Sequence, residues 1–200
     1  MIENLDNSFI ALVFRMRNIH RWSLLFNTHD ENLSQHSTEC AYLTHYLAAI
    51  GNEFYHKNYC IEKLTVCALF HDIPEVITGD IPTPIKYCSS ETLNSFKELE
   101  KRASNKLLNH LPSEIRELYS SYINKTILSE DEIKLLKVAD KLCAYIKCVI
   151  EIDMGNKEYL TVSTSILNDL KAIESEEAEY FMEHCISTLS LSMGELNTSL

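Results

Sequence analysis

The stretch TVCALFHDIPEVITGDIPTPIK, residues 65–86, decides how the rest of the chain is read. It opens as an apolar helical run and stops at His71-Asp72, an imidazole beside a carboxylate. Glu75 follows within one helical turn, and the run breaks at Gly79-Asp80-Ile81-Pro82-Thr83-Pro84. Metal-ligand residue types at the mouth of an apolar helix, followed by a stiff turn, point to a metal site with one open side. A second His-Asp, His29-Asp30, is an internal control. It lies in the polar run NTHDEN with no apolar helix leading in, and is read as an ordinary loop pair.

Composition sets the frame. Two hundred residues with 46% hydrophobic content, four Gly and four Pro suit one all-α domain spanning 1–200. The formal net charge of −11 argues against polymeric nucleic acid or an anionic membrane as partner. An anionic small substrate stays open, because a bound divalent cation reverses the sign locally. Seven Cys without a CxxC pair read as small buried hydrophobes in a reducing compartment. MIENLDNSF carries neither a charged n-region nor a long apolar run, and no stretch approaches the ~20 apolar residues of a membrane span. A soluble, cytoplasmic protein is expected.

Periodicity supplies the helices. Phe9, Ile10, Leu12, Val13, Phe14 and Met16 give an apolar face to a first helix ending near Arg17. A loop with the single Trp beside Arg21 follows; the pair is either plain packing or a cation and flat wall for a ligand. A second helix spans about 34–54, with Ser34 as N-cap and His36 on the face of Cys40, Leu43 and Leu47. The third, about 61–71, is nearly apolar all round and expected to be central. Ser89 or Ser90 opens a long helix, and Pro112 a shorter one. Ser129 and Glu132 form a capping box for a helix running to Gly155. Its apolar stripe (Ile133, Leu136, Ala139, Leu142, Cys143, Ile146, Ile150) contains Asp140, a carboxylate that needs a partner there. Helices over about 157–173 and 176–193 follow, with a frayed tail from 195 to 200.

The inward groups are therefore His36, His71, Asp72 and Asp140, drawn from three helices. Two imidazoles and two carboxylates suit one divalent ion such as Mn²⁺, Co²⁺, Zn²⁺ or Fe²⁺. In the order H…HD…D the set resembles the HD-domain metal-dependent phosphohydrolases. Within them the chain is similar to the bacterial 5′-deoxynucleotidase (YfbR-like) branch, through RW at 21–22, ENLSQHS at 31–37, HDIPEVITGDIPTPIKY at 71–87 and ADKLCAYIKC at 139–148. The resemblance implies an all-helical bundle with a metal site between helices, a homodimer, and hydrolysis of deoxyribonucleoside 5′-monophosphates with Co²⁺, Mn²⁺ or a similar ion. It further implies His36, His71, Asp72 and Asp140 as ligands, Glu75 as the catalytic acid/base, and Arg21, Trp22, His71, Asp80, Ile81, Pro82 and Thr83 as nucleotide-contacting positions.

Glu75 also has a plain reading as a carboxylate favoured by a helix N-terminus. Four positions depart from the branch. Gln35 stands where an acid precedes the first ligand, Phe26 and His29 replace basic residues, and Pro74 replaces a small polar one. None removes a ligand or Glu75. The alternatives are another HD phosphohydrolase, acting on nucleoside triphosphates, cyclic nucleotides or alarmones, and a non-catalytic helical module.

Overall fold

The computed structural model describes residues 7–198; positions 1–6, and the last two residues of the expected frayed tail, lie outside them. Eleven α-helices are present among the described residues: α1 Phe9–Val13, α2 Leu33–Phe54, α3 Ile61–Leu69, α4 Glu75–Thr78, α5 Thr83–Lys86, α6 Ser90–Leu108, α7 Ser113–Ile123, α8 Glu130–Asp153, α9 Tyr159–Ile173, α10 Glu176–His184 and α11 Met193–Leu196. Two 3₁₀ segments, Phe14–Asn18 and Ile186–Ser190, complete the order. The one isolated β-type pairing among these residues is an antiparallel bridge between His20 and Asn32. Among the described residues no helix is long and apolar enough to cross a membrane.

Two apolar clusters hold the elements together. In the larger, Cys40 and Leu47 of α2 meet Leu64 and Cys67 of α3, Val138 and Leu142 of α8, and Phe181 of α10. The smaller joins Phe9, Met16, Leu33, Ile73, Leu107 and Ile123. The chain crosses from one cluster to the other twice beside the polar residues of interest. His36 lies between Leu33 and Cys40, and His71-Asp72 between Ala68 and Ile73. The polar cluster thus occupies a seam walled by apolar packing on both sides.

Several boundaries differ from expectation, each for a local reason. The N-cap of α2 is Asn32, not Ser34: its extended backbone lets the side chain accept from Ser34 N–H (3.0 Å) and Gln35 N–H (3.1 Å). Gln35 Oε1 accepts from Asn32 N–H at 3.1 Å, closing a capping box. The departure Gln35 therefore serves the helix start. Helix α3 ends at Leu69, before His71, because the chain tightens into i→i+3 turns (Ile73 N–H to Phe70 O, Glu75 N–H to Asp72 O) ahead of Pro74. It shows one buried face, with Glu62 and Leu69 exposed, so it is less central than its composition implied. Ile10 and Phe14 are exposed, and Phe9 and Met16 carry the burial of the first segment. The expected helix 176–193 breaks at Cys185 into a 3₁₀ turn. Glu195 is not frayed: it closes a capping box with Ser192 that starts α11.

The Ser129–Glu132 capping box of α8 stands as expected. Its stripe, however, also buries Lys147 and Glu151. That pair is a support for the loop described next.

Candidate metal centre

Helix α2, the turn after α3, and α8 each deliver part of one cluster. His36 Nε2 lies 3.2 Å from His71 Nε2, 3.1 Å from Asp140 Oδ1 and 3.4 Å from Asp72 Oδ2. His71 Nε2 is 3.0 Å from Asp72 Oδ2. One ligand atom from each of the four residues lies within 4.8 Å of the others, close to the ~4.4 Å diameter of a coordination sphere with ~2.2 Å bonds. His71 Nδ1 pairs with Ala68 O at 2.6 Å, which places the proton on Nδ1 and leaves Nε2 as the donor to a cation. Lys125 steadies the same turn, donating to His71 O at 3.1 Å. The donor set and its spread fit a divalent transition ion.

Asp140 is less enclosed than its place in an apolar stripe implied. Its side chain is 44% exposed, so the cluster opens to solvent on the α8 side. His36 and His71, by contrast, are buried.

The electrostatics record a mutually dependent set. Burial and Arg21 both act to lower the His36 pKa, but hydrogen bonds to Asp140 and Asp72 carry it up to about 9. His71 is likewise raised against the effect of burial, chiefly by Asp72. Burial works to raise Asp72 and Asp140, yet the two imidazoles hold both well below the usual carboxylate range. Glu75 goes the other way. Burial first, then Asp72 and Asp80, push it up to about 9. Its Oε2 is buried without a hydrogen-bond partner.

The Glu75 side chain makes no hydrogen bond to the side chains of the four candidate ligands. It lines a small cleft with Thr78, Gly79, Ile81 and Lys86. Gly79, at φ 76° and ψ 161°, adopts a backbone open essentially to glycine alone and turns the chain into Asp80. Burial raises the Asp80 pKa while Arg21 opposes it. Ile81 and Pro82 are half-buried; Thr83 is exposed at the start of α5.

Arg21 and Trp22 reach the cluster through backbone pairing. Leu33 N–H donates to Ile19 O, and Arg21 N–H to Glu31 O, each at 2.9 Å, which closes the intervening loop over the start of α2. Arg21 Nε donates to Glu31 Oε1 at 2.8 Å, and Nη1 lies 3.5 Å from Asp72 Oδ2. Burial opposes the Arg21 charge, but Asp72 and Glu31 outweigh it and keep the guanidinium protonated. Trp22, in a left-handed backbone at φ 61°, donates from Nε1 to Glu31 Oε2 at 3.0 Å. Its ring centroid is 5.5 Å from that of Tyr159.

The control pair stays apart. His29 and Asp30 are exposed and belong to no ligand cluster. The backbone of His29 is nevertheless anchored: its N–H and that of Thr28 donate to Glu151 (3.1 and 2.9 Å), and its carbonyl accepts from Lys147 Nζ. Glu31, Lys125, Tyr159 and the Lys147–Glu151 pair were given no role from sequence. Two had a signal: Glu31 opens the matching segment ENLSQHS, and Lys147–Glu151 are opposite charges at i, i+4 inside an apolar stripe.

The fold is that of the HD-domain phosphohydrolases. An HD-domain phosphohydrolase from Listeria innocua superposes with a TM-score of 0.80 at 22% identity, covering 96% of this chain and 93% of that one. The cyanophage S-2L HD phosphohydrolase, solved with dA and one catalytic Zn²⁺, gives 0.65 at 20% identity over 89% of this chain and 96% of its own. Sequence narrows the class. The chain belongs to the 5′-deoxynucleotidase YfbR-like family, which it matches over residues 8–189. It is 40% identical over 192 residues to the 5′-deoxynucleotidase YfbR of Escherichia coli, and 39% over 192 residues to a 5′-deoxynucleotidase of Enterobacter sp. strain 638, covering 96% of each chain in both cases.

Proposed function

We propose that the protein is a phosphoric monoester hydrolase that converts deoxyribonucleoside 5′-monophosphates to deoxynucleoside and phosphate, with water as nucleophile. The observation that carries this reading is the convergence of His36, His71, Asp72 and Asp140 within 4.8 Å, with Arg21 paired to Asp72 and the half-buried Glu75 one turn beyond it. Membership of the 5′-deoxynucleotidase YfbR-like family supports it.

His36, His71, Asp72 and Asp140 would hold one divalent ion, which when bound supplies Lewis-acid polarisation and a more acidic water. Arg21 is suited to the phosphate: Nε is occupied by Glu31 and Nη1 lies 3.5 Å from Asp72 Oδ2, so the guanidinium is held at the cluster with its planar fork available to phosphate oxygens. Glu75, whose pKa is pushed up to about 9 in the metal-free site, can give a proton to the leaving 5′-oxygen as the P–O bond breaks and the water oxygen bonds to phosphorus, and the proton released by that water restores Glu75. His71 and the turn Asp80, Ile81, Pro82 and Thr83 line the sugar side in this reading. The indole of Trp22 stands against the 2′ position.

Co²⁺ or Mn²⁺ as the ion, one domain spanning 1–200, a homodimer and a cytoplasmic location belong to the same proposal. Seven free thiols support a reducing compartment. Exposed Tyr42 and Tyr46 on α2 support a partner surface. The test is a malachite-green phosphate assay on the metal-reconstituted protein across ribo- and deoxynucleoside monophosphates. Phosphate release from the deoxy series, abolished by EDTA and restored by Co²⁺ or Mn²⁺, is expected. Full activity in excess EDTA, or turnover confined to triphosphates, would sink the reading.

A further inference from the structure

We infer that Glu31 is a positioning residue, one carboxylate that sets the phosphate grip, the sugar wall and a metal ligand together. The inference rests on the proposed hydrolysis for the roles of those three groups. The geometry itself is independent of that reading.

Each oxygen of Glu31 has a separate task. Oε1 accepts from Arg21 Nε at 2.8 Å and lies 3.6 Å from His36 Nδ1. Oε2 accepts from Trp22 Nε1 at 3.0 Å. The Glu31 carbonyl also accepts from the Arg21 N–H at 2.9 Å, so these two residues are joined through backbone and side chain alike. The side chain is only 13% exposed, where charge-assisted hydrogen bonds are weakly screened.

Three consequences follow from the chemistry. An Arg anchored through Nε cannot swing, so its Nη1 stays directed at the cluster, 3.5 Å from Asp72 Oδ2. An indole excludes a hydroxyl by clash only if it cannot rotate away. Trp22 is fixed by the Glu31 hydrogen bond on its edge and Tyr159 beside its ring. A carboxylate facing Nδ1 of His36 favours the tautomer with the proton there, which leaves Nε2 for a cation. Glu31 touches none of the proposed reacting atoms.

Trp22 is the chain's single tryptophan, so its fluorescence reports this position alone. The experiment compares wild type with Glu31→Ala and the nearly isosteric Glu31→Gln. Acrylamide quenching is measured on metal-free protein, Co²⁺ affinity by chelator competition, and kcat/KM for matched deoxy- and ribonucleoside monophosphates. Glu31→Ala is expected to raise quenching, to weaken Co²⁺ by about 10–100-fold, the usual cost of losing an outer-shell partner, and to narrow the deoxy-to-ribo ratio. Glu31→Gln has one acceptor oxygen for two donors, so it keeps either the indole or the guanidinium in place. Either quenching or KM should then stay near wild type, and not both.

If Glu31→Ala does not fold, Glu31→Gln carries the test. Wild-type quenching, Co²⁺ affinity and sugar ratio in a folded variant would overturn the inference. So would a uniform fall in kcat with all three unchanged, since that is a merely structural effect. A wild-type protein that releases no phosphate from any nucleotide would instead overturn the functional reading. The quenching and Co²⁺ measurements would still decide the position of Glu31.

Discussion

Asp72 and Glu75 sit one helical turn apart, joined by a hydrogen bond from the Glu75 N–H to the Asp72 carbonyl at 2.9 Å, and their carboxyl groups hold opposite protonation states. Asp72 keeps its charge because two imidazoles face it. Glu75 has burial and the Asp72 charge against it. A pair of carboxyl groups driven apart in this way suits the proposed division between a metal ligand and a proton donor.

That separation has a thermodynamic signature in the metal-free protein. Between the ordinary value of 4.5 and the folded value of about 9, native Glu75 retains a proton that the unfolded chain has released. Stability attributable to this group therefore falls as pH rises through that window. Glu75→Gln removes the titration, so its Tm advantage over wild type should grow from pH 5 to pH 9. Parallel Tm curves would mean that Glu75 ionises freely in the fold.

Metal uptake should release protons. His36 is raised from 6.5 to about 9, and His71 in the same direction, so at pH 7 the metal-free cluster carries protons that a cation must displace. Apparent Co²⁺ affinity should rise with pH until about 9, and a weakly buffered titration with an indicator dye should acidify. The sign reverses for stability without metal. The imidazole contribution is full below 6.5 and lost as pH climbs through about 9, while that of Asp72 and Asp140 disappears as pH falls below 3.8.

Asp140→Asn tests the ligand on the open side. Its side chain is 44% exposed, so the amide should still fold, with a lower Tm from the lost charge facing His36 and His71, while metal content by elemental analysis drops. His29→Ala and Asp30→Ala should retain the metal, since both side chains are exposed and outside the cluster. Loss of metal from either would mean that the wrong His-Asp pair had been assigned.

The four residues that converge were legible because each departs from its local pattern: a His or Asp on an apolar helix face stands out against periodicity. Caps were legible where the motif is local, as at Ser129–Glu132. Asn32 was missed because Ser34 also satisfies the cap preference, and only backbone angles decide between them. The role of Glu31 was hidden for a different reason. Its partners Arg21 and Trp22 lie across a loop, and the pairing of His20 with Asn32 that opposes them has no periodic signal. The break at Cys185 has no Gly or Pro to announce it.

Glu151 tests how far support for the loop extends. It is fully buried and accepts from Lys147, Asn156, Thr28 N–H and His29 N–H. Glu151→Ala strands a buried Lys147, which typically costs about 3–5 kcal/mol, and should show as a lower Tm. Replacing an isolated buried ion pair by apolar residues is often neutral. This one differs, because it also satisfies backbone groups of residues 28 and 29. The double variant Lys147→Met/Glu151→Leu should therefore remain destabilised, and recovery to wild-type Tm in chemical denaturation would show that the loop does not depend on it.

The remaining prediction separates chemistry from binding. Glu75 is proposed to move a proton without holding the metal, and Arg21 to grip phosphate. Glu75→Ala should keep its metal and bind deoxynucleotide nearly as wild type does, while kcat falls by about 10²–10⁴-fold, the usual size of a general acid/base contribution. Arg21→Ala should raise KM with metal content unchanged, because the four ligands do not include it. Trp22→Ala removes the steric wall and should narrow the gap between deoxy- and ribonucleotide by raising kcat/KM for the larger sugar more than for the smaller. Steady-state kinetics on deoxyadenosine and adenosine monophosphate, with elemental analysis of each variant, resolve the three. A Glu75→Ala protein without metal would make Glu75 a fifth ligand. An unchanged sugar preference in Trp22→Ala would move discrimination to Asp80, which the positive-φ turn at Gly79 brings beside Glu75 and Arg21.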